Sequence, residues 1–324
     1  MHSPKYFQEL IDEEIAALSF QSKPAELYEP IRYMMSLGGK RIRPSLVLMS
    51  NELFGADPQK IIKVALGVEV FHNFTLMHDD IMDRAPLRRN KSTVHTKWDA
   101  NTAILSGDTM FVKSCQLMMS IDSGFSAEVL SLFFKTAIEV CEGQQLDMNF
   151  ESREDVSIQE YIEMISLKTA VLLGCSLQLG AILADAEPED ARRMYAFGKN
   201  LGIAFQLHDD ILDLYGDAEK FGKQVGGDVL SNKKTILLLL ALSHKNKNKV
   251  DELKEWINKP VANPEKKISA VREIFEHLGI RKQAEEEMEK YFQIALNDFQ
   301  NVKVEDARKE TLMNLAESLM IRES

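Results

Sequence analysis

The sequence predicts an all-α protein that forms one domain. Three observations lead to this prediction. Apolar residues recur at helical spacing along most of the chain, proline and glycine stand where helices begin and end, and no run of alternating β-branched residues interrupts them. No Gly/Ser-rich or Pro-rich linker divides the 324 residues, so we predict a single domain over residues 1–324.

The individual helices are predicted from the same spacing. Ser3-Pro4, Arg43-Pro44 and Asp57-Pro58 place proline at or near a first helical position, and Gly38-Gly39 suits a helix end. The predicted helices lie near residues 4–20, 24–37, 44–54, 58–83, 99–120, 126–150, 157–184, 189–215, 233–245, 248–257, 264–278, 280–299 and 304–321. The helix over 58–83 is apolar almost all round, which predicts a central position in the protein.

Charge and composition restrict the function. The formal net charge is −11, from 39 Lys and Arg against 50 Asp and Glu, which argues against a nucleic-acid-binding protein. Cys115, Cys141 and Cys175 have no metal-ligand spacing and are predicted to be reduced packing residues of a cytoplasmic protein. The acidic stretch over 1–18 has no apolar run, and the apolar run over 236–242 is too short to span a bilayer, so neither a secretory signal nor a transmembrane segment is predicted.

One acidic hexapeptide occurs twice, as His-Asp-Asp-Ile-Met-Asp over 78–83 and His-Asp-Asp-Ile-Leu-Asp over 208–213. A single copy is more often a solvated helix face than a metal site. Two copies that each follow an apolar segment favour metal binding, because carboxylates at the edge of a buried helix need a cation between them. The six candidate ligands are Asp79, Asp80, Asp83, Asp209, Asp210 and Asp213, and Mg²⁺ suits their hard oxygens. His78 and His208 are interpreted as packing or supporting residues.

Dispersed cations accompany the carboxylates. They are Lys40, Arg41 and Arg43 in one turn, Arg88 and Arg89 after the first motif, Lys168 beside Thr169, and Lys223, Lys233 and Lys234 in or after a glycine-rich loop. Each group alone is typical of a solvated surface, and the loop is either a lid or a connector. Together with carboxylates that hold Mg²⁺, they predict a diphosphate site. There is no Walker-type motif, which disfavours a P-loop enzyme.

The order and spacing of these motifs resemble the trans-type isoprenyl diphosphate synthases, or polyprenyl synthetases. The matching residues are Gly38-Gly39-Lys40-Arg41-x-Arg43-Pro44, Asp79-Asp80-x-x-Asp83 with Arg88-Arg89, Gly143-Gln144-x-Leu146-Asp147, Lys168-Thr169, Gln206-x-x-Asp209-Asp210-x-x-Asp213, and Phe221-Gly222-Lys223 to Lys233-Lys234-Thr235. Asn90 departs from the glycine that is common there in the family. The resemblance implies a helical bundle around a deep central cavity, a homodimer, and two acidic motifs that face each other across the cavity.

The resemblance also implies the roles of single residues. Asp79, Asp83 and Asp209 would be the main Mg²⁺ ligands, with Asp80, Asp210 and Asp213 in support. Isopentenyl diphosphate would bind to Lys40, Arg43, His72 and Arg89, although His72 alone is equally well a core histidine. The allylic diphosphate would bind to Arg88, Lys168, Thr169, Gln206, Lys223 and Lys233. The residues expected to act in catalysis are Asp79, Asp80, Asp83, Lys168, Asp209 and Asp210.

Product length is predicted from the residues that precede the first motif. Phe71 and Phe74 lie eight and five residues before Asp79, about 12 and 7.5 Å below it on a helix. By the family resemblance, bulky side chains here form a floor for the growing chain, and Thr75 is smaller. A short product is expected, farnesyl or geranylgeranyl diphosphate, unless both rings are plain core.

Two other functions compete with an elongating prenyltransferase. A class I terpene cyclase also ionises a prenyl diphosphate with metal-bound aspartates, but it needs no cations for a second diphosphate substrate. A non-catalytic subunit of a heteromeric synthase could lose its aspartates, and this chain keeps all six.

Overall fold

A computed structural model describes residues 1–18, 20, 23–121, 124–216, 225–259 and 263–320. In chain order the helices are α1 Pro4–Ala17, α2 Ala25–Ser36, α3 Ile42–Leu53, α4 Ile62–Met82, α5 Val94–Lys97, α6 Ala100–Met118, α7 Ser126–Ser152, α8 Ile158–Ile165, α9 Val171–Ile182, α10 Pro188–Tyr215, α11 Gly227–Leu230, α12 Ile236–Leu242, α13 Lys247–Asn258, α14 Pro264–Leu278, α15 Ile280–Gln300 and α16 Asp306–Met320. The prediction of an all-α fold is confirmed.

Besides the short helices α5 and α11, which were not predicted, the structure differs from the predicted elements at three places. Pro58–Ile61 forms a separate 3-10 turn ahead of α4, because Asp57 caps it and proline starts it. The helix predicted over 157–184 is interrupted by a π-helical turn over Ser166–Ala170. A two-stranded hairpin, β1 Leu87–Arg88 with β2 Lys91–Ser92, follows α4. It was not predicted because strands of two residues are too short to show an alternating pattern.

The chain divides into two compact units. The first comprises residues 1–134, 175–194 and 303–313. Within it, α4 packs against α3 and α6, and its apolar side chains lie in the core, as the predicted central position requires. Gly67 allows the close approach of α4 and α6, because a Cβ there would lie 3.0 Å from the Met118 methyl group.

The second unit comprises residues 135–174, 195–302 and 314–324. Its core is formed by the buried faces of α8, the second half of α10, α12, α14 and α15, with Tyr161, Leu207, Leu237 and Phe275 among the buried residues. A capping box starts α8, where the Ser157 hydroxyl accepts the Glu160 N–H and the Glu160 carboxylate accepts the Ser157 N–H. The single domain over 1–324 stays a prediction.

One helical stretch of the described chain is long and apolar enough to cross a membrane. It runs from Ile158 to Ile182, and 78% of its most apolar window is buried inside the protein. Core helices of soluble proteins have this property, so the stretch does not indicate a membrane span.

Candidate active site

The first acidic motif ends α4 and separates its aspartates by burial. Asp80 is 2% exposed, Asp79 is half-buried and Asp83 is exposed. The Arg88 guanidinium holds both Asp80 oxygens, with Nε 2.9 Å from Oδ1 and from Oδ2, and Nη2 2.8 Å from Oδ1. Burial raises the pKa of Asp80 against the opposing effect of Arg88. The middle aspartate is therefore held by protein donors, and its two neighbours are less buried.

The hairpin after this motif positions the two arginines. Its two turn residues, Arg89 and Asn90, have φ values of 52° and 59°. Two successive left-handed residues define the tight turn that matches the twist of a β-hairpin. Asparagine tolerates this conformation, so the departure from the family's glycine at Asn90 leaves the turn intact. Arg88 points back to Asp80, and Arg89 reaches the loop that precedes α3.

Three of the four residues predicted for isopentenyl diphosphate lie together in the first unit. The Arg89 guanidinium lies so close to Gly39 that a Cβ there would be 2.9 Å from Nη2. Arg43 Nη1 lies 3.3 Å from His72 Nε2. Burial, and then Arg43 and Arg89, lower the pKa of His72 well below its usual range, so the ring is neutral and Nε2 accepts from Arg43. Lys40 is exposed next to Gly39.

Arg41 anchors this cationic loop and is not itself available to a substrate. It is 4% exposed, and its Nη1 lies 2.6 Å from Glu69 Oε1 on α4. Its Nε binds Asp12 Oδ1 at 2.9 Å, and its Nη2 donates to the Met35 carbonyl at 3.0 Å. The buried ion pair thus fixes the loop that presents Lys40 and Arg43. A single glutamate in the apolar sequence of α4 was the signal that could have predicted this pair.

The predicted chain-length floor is part of a larger aromatic cluster. Phe71 and Phe74 have ring centroids 5.6 Å apart, and Phe111 on α6 lies 6.0 and 5.4 Å from them. Phe133 on α7 packs edge-on against Phe71 at 5.3 Å. The half-buried Thr75 donates its hydroxyl to the His72 carbonyl and so presents no free polar group. The sequence did not indicate Phe111 or Phe133, because they come from other helices.

The second acidic motif repeats the burial pattern of the first. Asp210 is 5% exposed, and Asp209 and Asp213 are half-buried. Asp210 Oδ2 accepts the Tyr161 hydroxyl and, at 3.2 Å, the Ile236 N–H, while Oδ1 accepts Gln206 Nε2 at 3.2 Å. Burial, and then the charge of Asp228, raise the pKa of Asp210 to about 7 against the opposing hydrogen bonds.

Three of the residues predicted to bind the allylic diphosphate, Lys168, Thr169 and Gln206, lie at the π-helical turn or beside Asp210. Lys168 Nζ lies 2.5 Å from Asp147 Oδ2 on α7. Gly143 allows this approach, because a Cβ there would lie 2.2 Å from the Lys168 backbone nitrogen. The Thr169 hydroxyl donates to Gln206 Oε1 at 3.3 Å, which joins Thr169 to the Asp210 hydrogen-bond network. A π-helical turn at such a position is frequent at functional sites.

The segment after the second motif returns to it. Asp213 Oδ2 accepts the Asp228 N–H at 3.0 Å, and the Asp213 carbonyl accepts the Gly226 N–H at 2.6 Å. Lys233 is exposed, and its charge lowers the pKa of Asp210. A pocket adjoins this segment, lined by Asp210, Asp213, Leu214, Asp228, Val229, Asn232, Lys233, Thr235, Leu237, Leu238, Leu253, Ile257, Lys267, Val271 and Phe275. Lys223 lies outside the described residues.

The donor set is compatible with Mg²⁺. Within the described residues, no group of three or more His, Cys, Asp and Glu side chains forms a complete metal site. Mg²⁺ keeps several waters and takes one or two carboxylates together with phosphate oxygens, so it does not need such a group. The half-buried or exposed Asp79, Asp83 and Asp209 offer hard oxygens of this kind. The middle aspartates, whose oxygens bind protein donors, suit a supporting role.

Comparison with known proteins identifies the family of the chain. The Polyprenyl synthetase family model matches residues 24–275. A short chain isoprenyl diphosphate synthase of Methanothermobacter thermautotrophicus is 35% identical over 318 residues, 98% of this chain and 97% of that protein. A geranylgeranyl pyrophosphate synthase of Geoglobus acetivorans is 35% identical and covers 97% of this chain and 96% of its own. A crystal structure of a geranylgeranyl pyrophosphate synthase superposes with a TM-score of 0.94 at 44% identity, with all of both chains covered.

The fold is therefore the all-α fold of isoprenoid synthases, and the enzyme class is a transferase of prenyl groups. The chain belongs to the polyprenyl synthetase family. The family resemblance predicted from the motifs is confirmed.

Proposed function

We propose that the protein condenses isopentenyl diphosphate with an allylic diphosphate, in a Mg²⁺-dependent reaction, to form a short-chain (E)-prenyl diphosphate, either farnesyl or geranylgeranyl diphosphate. The observation that carries this proposal is the cluster of two cations, Arg43 and Arg89, with the neutral ring of His72 in the first unit. It lies near the first acidic motif, and it consists of protein donors that need no metal. A second diphosphate substrate requires such a site, whereas a terpene cyclase has no use for it.

The residues contribute to the reaction by binding and charge. When bound by Asp79, Asp83 and Asp209, Mg²⁺ supplies positive charge to the diphosphate that leaves the allylic carbon. Arg88, Lys168, Thr169, Gln206, Lys223 and Lys233 bind that diphosphate and favour its departure, because they stabilise the charge that develops on it. Lys40, Arg43, His72 and Arg89 orient isopentenyl diphosphate so that its double bond attacks the allylic carbon. Proton loss to the released diphosphate completes the condensation.

The aromatic cluster would limit the product. The rings of Phe71, Phe74 and Phe111 lie one to two helical turns below Asp79 along α4 or against it, where a growing chain would end. They also exclude water, which would otherwise capture the allylic cation.

We also propose that the enzyme is a homodimer. On α6, Leu105, Val112 and Met119 at its C-terminal end are 60%, 55% and 64% exposed and recur every seven residues. On α7, Phe134, Ile138, Cys141 and Met148 form a second exposed stripe at the spacing of a helix-packing face. Exposed apolar stripes of this length are typical of a protein interface, and a second copy of the chain would cover them.

A cytoplasmic location agrees with the three cysteines, none of which forms a disulfide bond in the described part of the chain. Burial raises the pKa of the Cys115 thiol, so it is a weak nucleophile and suits the predicted packing role.

The test uses purified protein with Mg²⁺, radiolabelled isopentenyl diphosphate and a series of allylic diphosphates, followed by chain-length analysis. Incorporation of label into a short prenyl diphosphate is the expected result. A hydrocarbon formed without isopentenyl diphosphate would identify a cyclase, and inactivity until another subunit is added would identify a non-catalytic subunit. Asp79→Ala should abolish turnover with the fold intact, whereas Asp155→Ala, in an exposed loop, should not.

A further inference from the structure

Tyr161 lies on α8, outside every motif described above, and contacts the second acidic motif directly. Its side chain is fully enclosed, with 2% of the residue exposed. Its hydroxyl donates a hydrogen bond to Asp210 Oδ2. A buried hydroxyl and a buried carboxylate satisfy each other here, and neither can turn away without losing its partner.

Asp210 connects three elements of the second unit. Tyr161 comes from α8, Gln206 lies one turn earlier on α10, and the Ile236 N–H belongs to the first residue of α12. Both carboxylate oxygens are therefore directed at protein donors. Because Ile236 begins α12 three residues after Lys233, the same carboxylate also fixes the end of the segment that carries this lysine.

The flanking aspartates depend on this connection. Asp209 and Asp213 share the last turns of α10 with Asp210, so the rotation of that helix about its axis decides where their carboxylates point. Asp213 in turn holds the backbone of Gly226 and Asp228. The hydrogen bond from Tyr161 to Asp210 thus restrains the helix end that carries Asp209 and Asp213.

We propose that Tyr161 is a positioning residue for the prenyl transfer reaction: through Asp210 it orients the second acidic motif and Lys233 for binding of the Mg²⁺ diphosphate. The inference rests on the proposed function. Tyr161 itself touches no substrate, and its effect passes entirely through the Asp210 carboxylate.

The experiment is a double-mutant cycle of Tyr161→Phe and Asp210→Asn in the full-length protein. Binding of inorganic diphosphate in the presence of Mg²⁺ is measured by titration calorimetry, and kcat and KM for each substrate are measured in parallel. Tyr161→Phe is expected to weaken diphosphate binding on the order of tenfold, the usual effect of losing a hydrogen bond to a charged group. It should leave the KM for isopentenyl diphosphate unchanged, because the residues proposed for that substrate lie in the other unit.

Tyr215→Phe is the matched control. The Tyr215 hydroxyl is also buried, and it has no hydrogen-bond partner among the described residues. Its removal should leave both binding and turnover unchanged. A general loss of stability in Tyr161→Phe would lower the unfolding temperature without changing the Mg²⁺-dependent affinity of the folded protein, so the two measurements separate positioning from folding.

The double mutant tests whether the effect of Tyr161 on diphosphate binding passes through Asp210. If Tyr161 acts through Asp210, then Tyr161→Phe/Asp210→Asn should bind diphosphate as Asp210→Asn does. Losses that add in the double mutant, or wild-type binding by Tyr161→Phe, would overturn the proposal. If Tyr161→Phe does not fold, Asp210→Asn and the double mutant, which both lack the buried charge, still test the route, since weaker diphosphate binding by the double mutant than by Asp210→Asn would overturn the proposal. A wild-type protein that binds diphosphate but transfers no prenyl group would refute the proposed function and leave this cycle interpretable.

Discussion

The buried carboxylate of Asp210 should make the stability of the enzyme depend on pH near neutrality. Burial raises its pKa from 3.8 to about 7. Between these two values the folded protein binds more protons at this position than the unfolded chain, so the stability contributed by Asp210 falls as the pH rises. Above pH 7 the stability contributed by Asp210 is roughly 4 kcal/mol lower than at acidic pH, since each unit of pKa difference between the folded and unfolded states corresponds to about 1.4 kcal/mol.

The assay is reversible urea unfolding between pH 4.5 and 8, with a chelator present because bound Mg²⁺ would favour the ionised carboxylate. Asp210→Asn keeps an acceptor oxygen for Tyr161 and Ile236 but does not titrate. We expect the free energy of unfolding of Asp210→Asn, relative to that of wild type, to increase as the pH rises. The slope of this difference should reach up to about 1.4 kcal/mol per pH unit below pH 7.

An exposed acid provides a control of opposite sign. Arg153 lowers the pKa of Asp155, so any stability from Asp155 is present at neutral pH and is lost as the pH falls. The difference between Asp155→Asn and wild type should therefore change in the other direction. A difference between Asp210→Asn and wild type that stays constant from pH 4.5 to 8 would refute the burial argument.

Three further predictions concern other parts of the protein. Glu69→Leu leaves the buried Arg41 guanidinium with only the partly exposed Asp12 carboxylate as its ion-pair partner. We expect urea unfolding to show that the free energy of unfolding falls by about 3–5 kcal/mol. A decrease below about 1 kcal/mol would mean that the Arg41–Glu69 pair does not anchor the loop. Phe111→Ala opens the aromatic cluster and should shift product chromatograms to longer prenyl chains, and an unchanged product would show that Phe111 is plain core. Leu105→Glu places a charge on the exposed stripe of α6 and should reduce the mass in light scattering from dimer to monomer, whereas an unchanged mass would exclude that stripe from the interface.

The sequence by itself determined the fold class, the family and most helix bounds. Helices follow from apolar spacing, from capping residues, and from proline and glycine at helix ends, all of which act over a few residues. The bounds of α10 and α14 were therefore predicted almost completely. The acidic motifs were also recognisable in the sequence as candidate metal sites, because two copies of Asp-Asp-x-x-Asp that each follow an apolar segment favour metal binding over a solvated helix face. The placement of Arg43 beside His72 agrees with the shared site that the motifs imply.

Only the tertiary structure decided how the members of each motif divide their roles. Asp80 and Asp210 look like their neighbours in the sequence, but they are buried, and their partners Arg88 and Tyr161 come from a strand of the hairpin and from a distant helix. The π-helical turn at Lys168 likewise depends on close packing, which Gly143 of α7 permits. Such contacts join different elements of the fold, and their free energy comes from burial and hydrogen bonding in the folded protein. No local pattern predicts them, and they distinguish the residues that hold the second acidic motif from those proposed to bind the substrate.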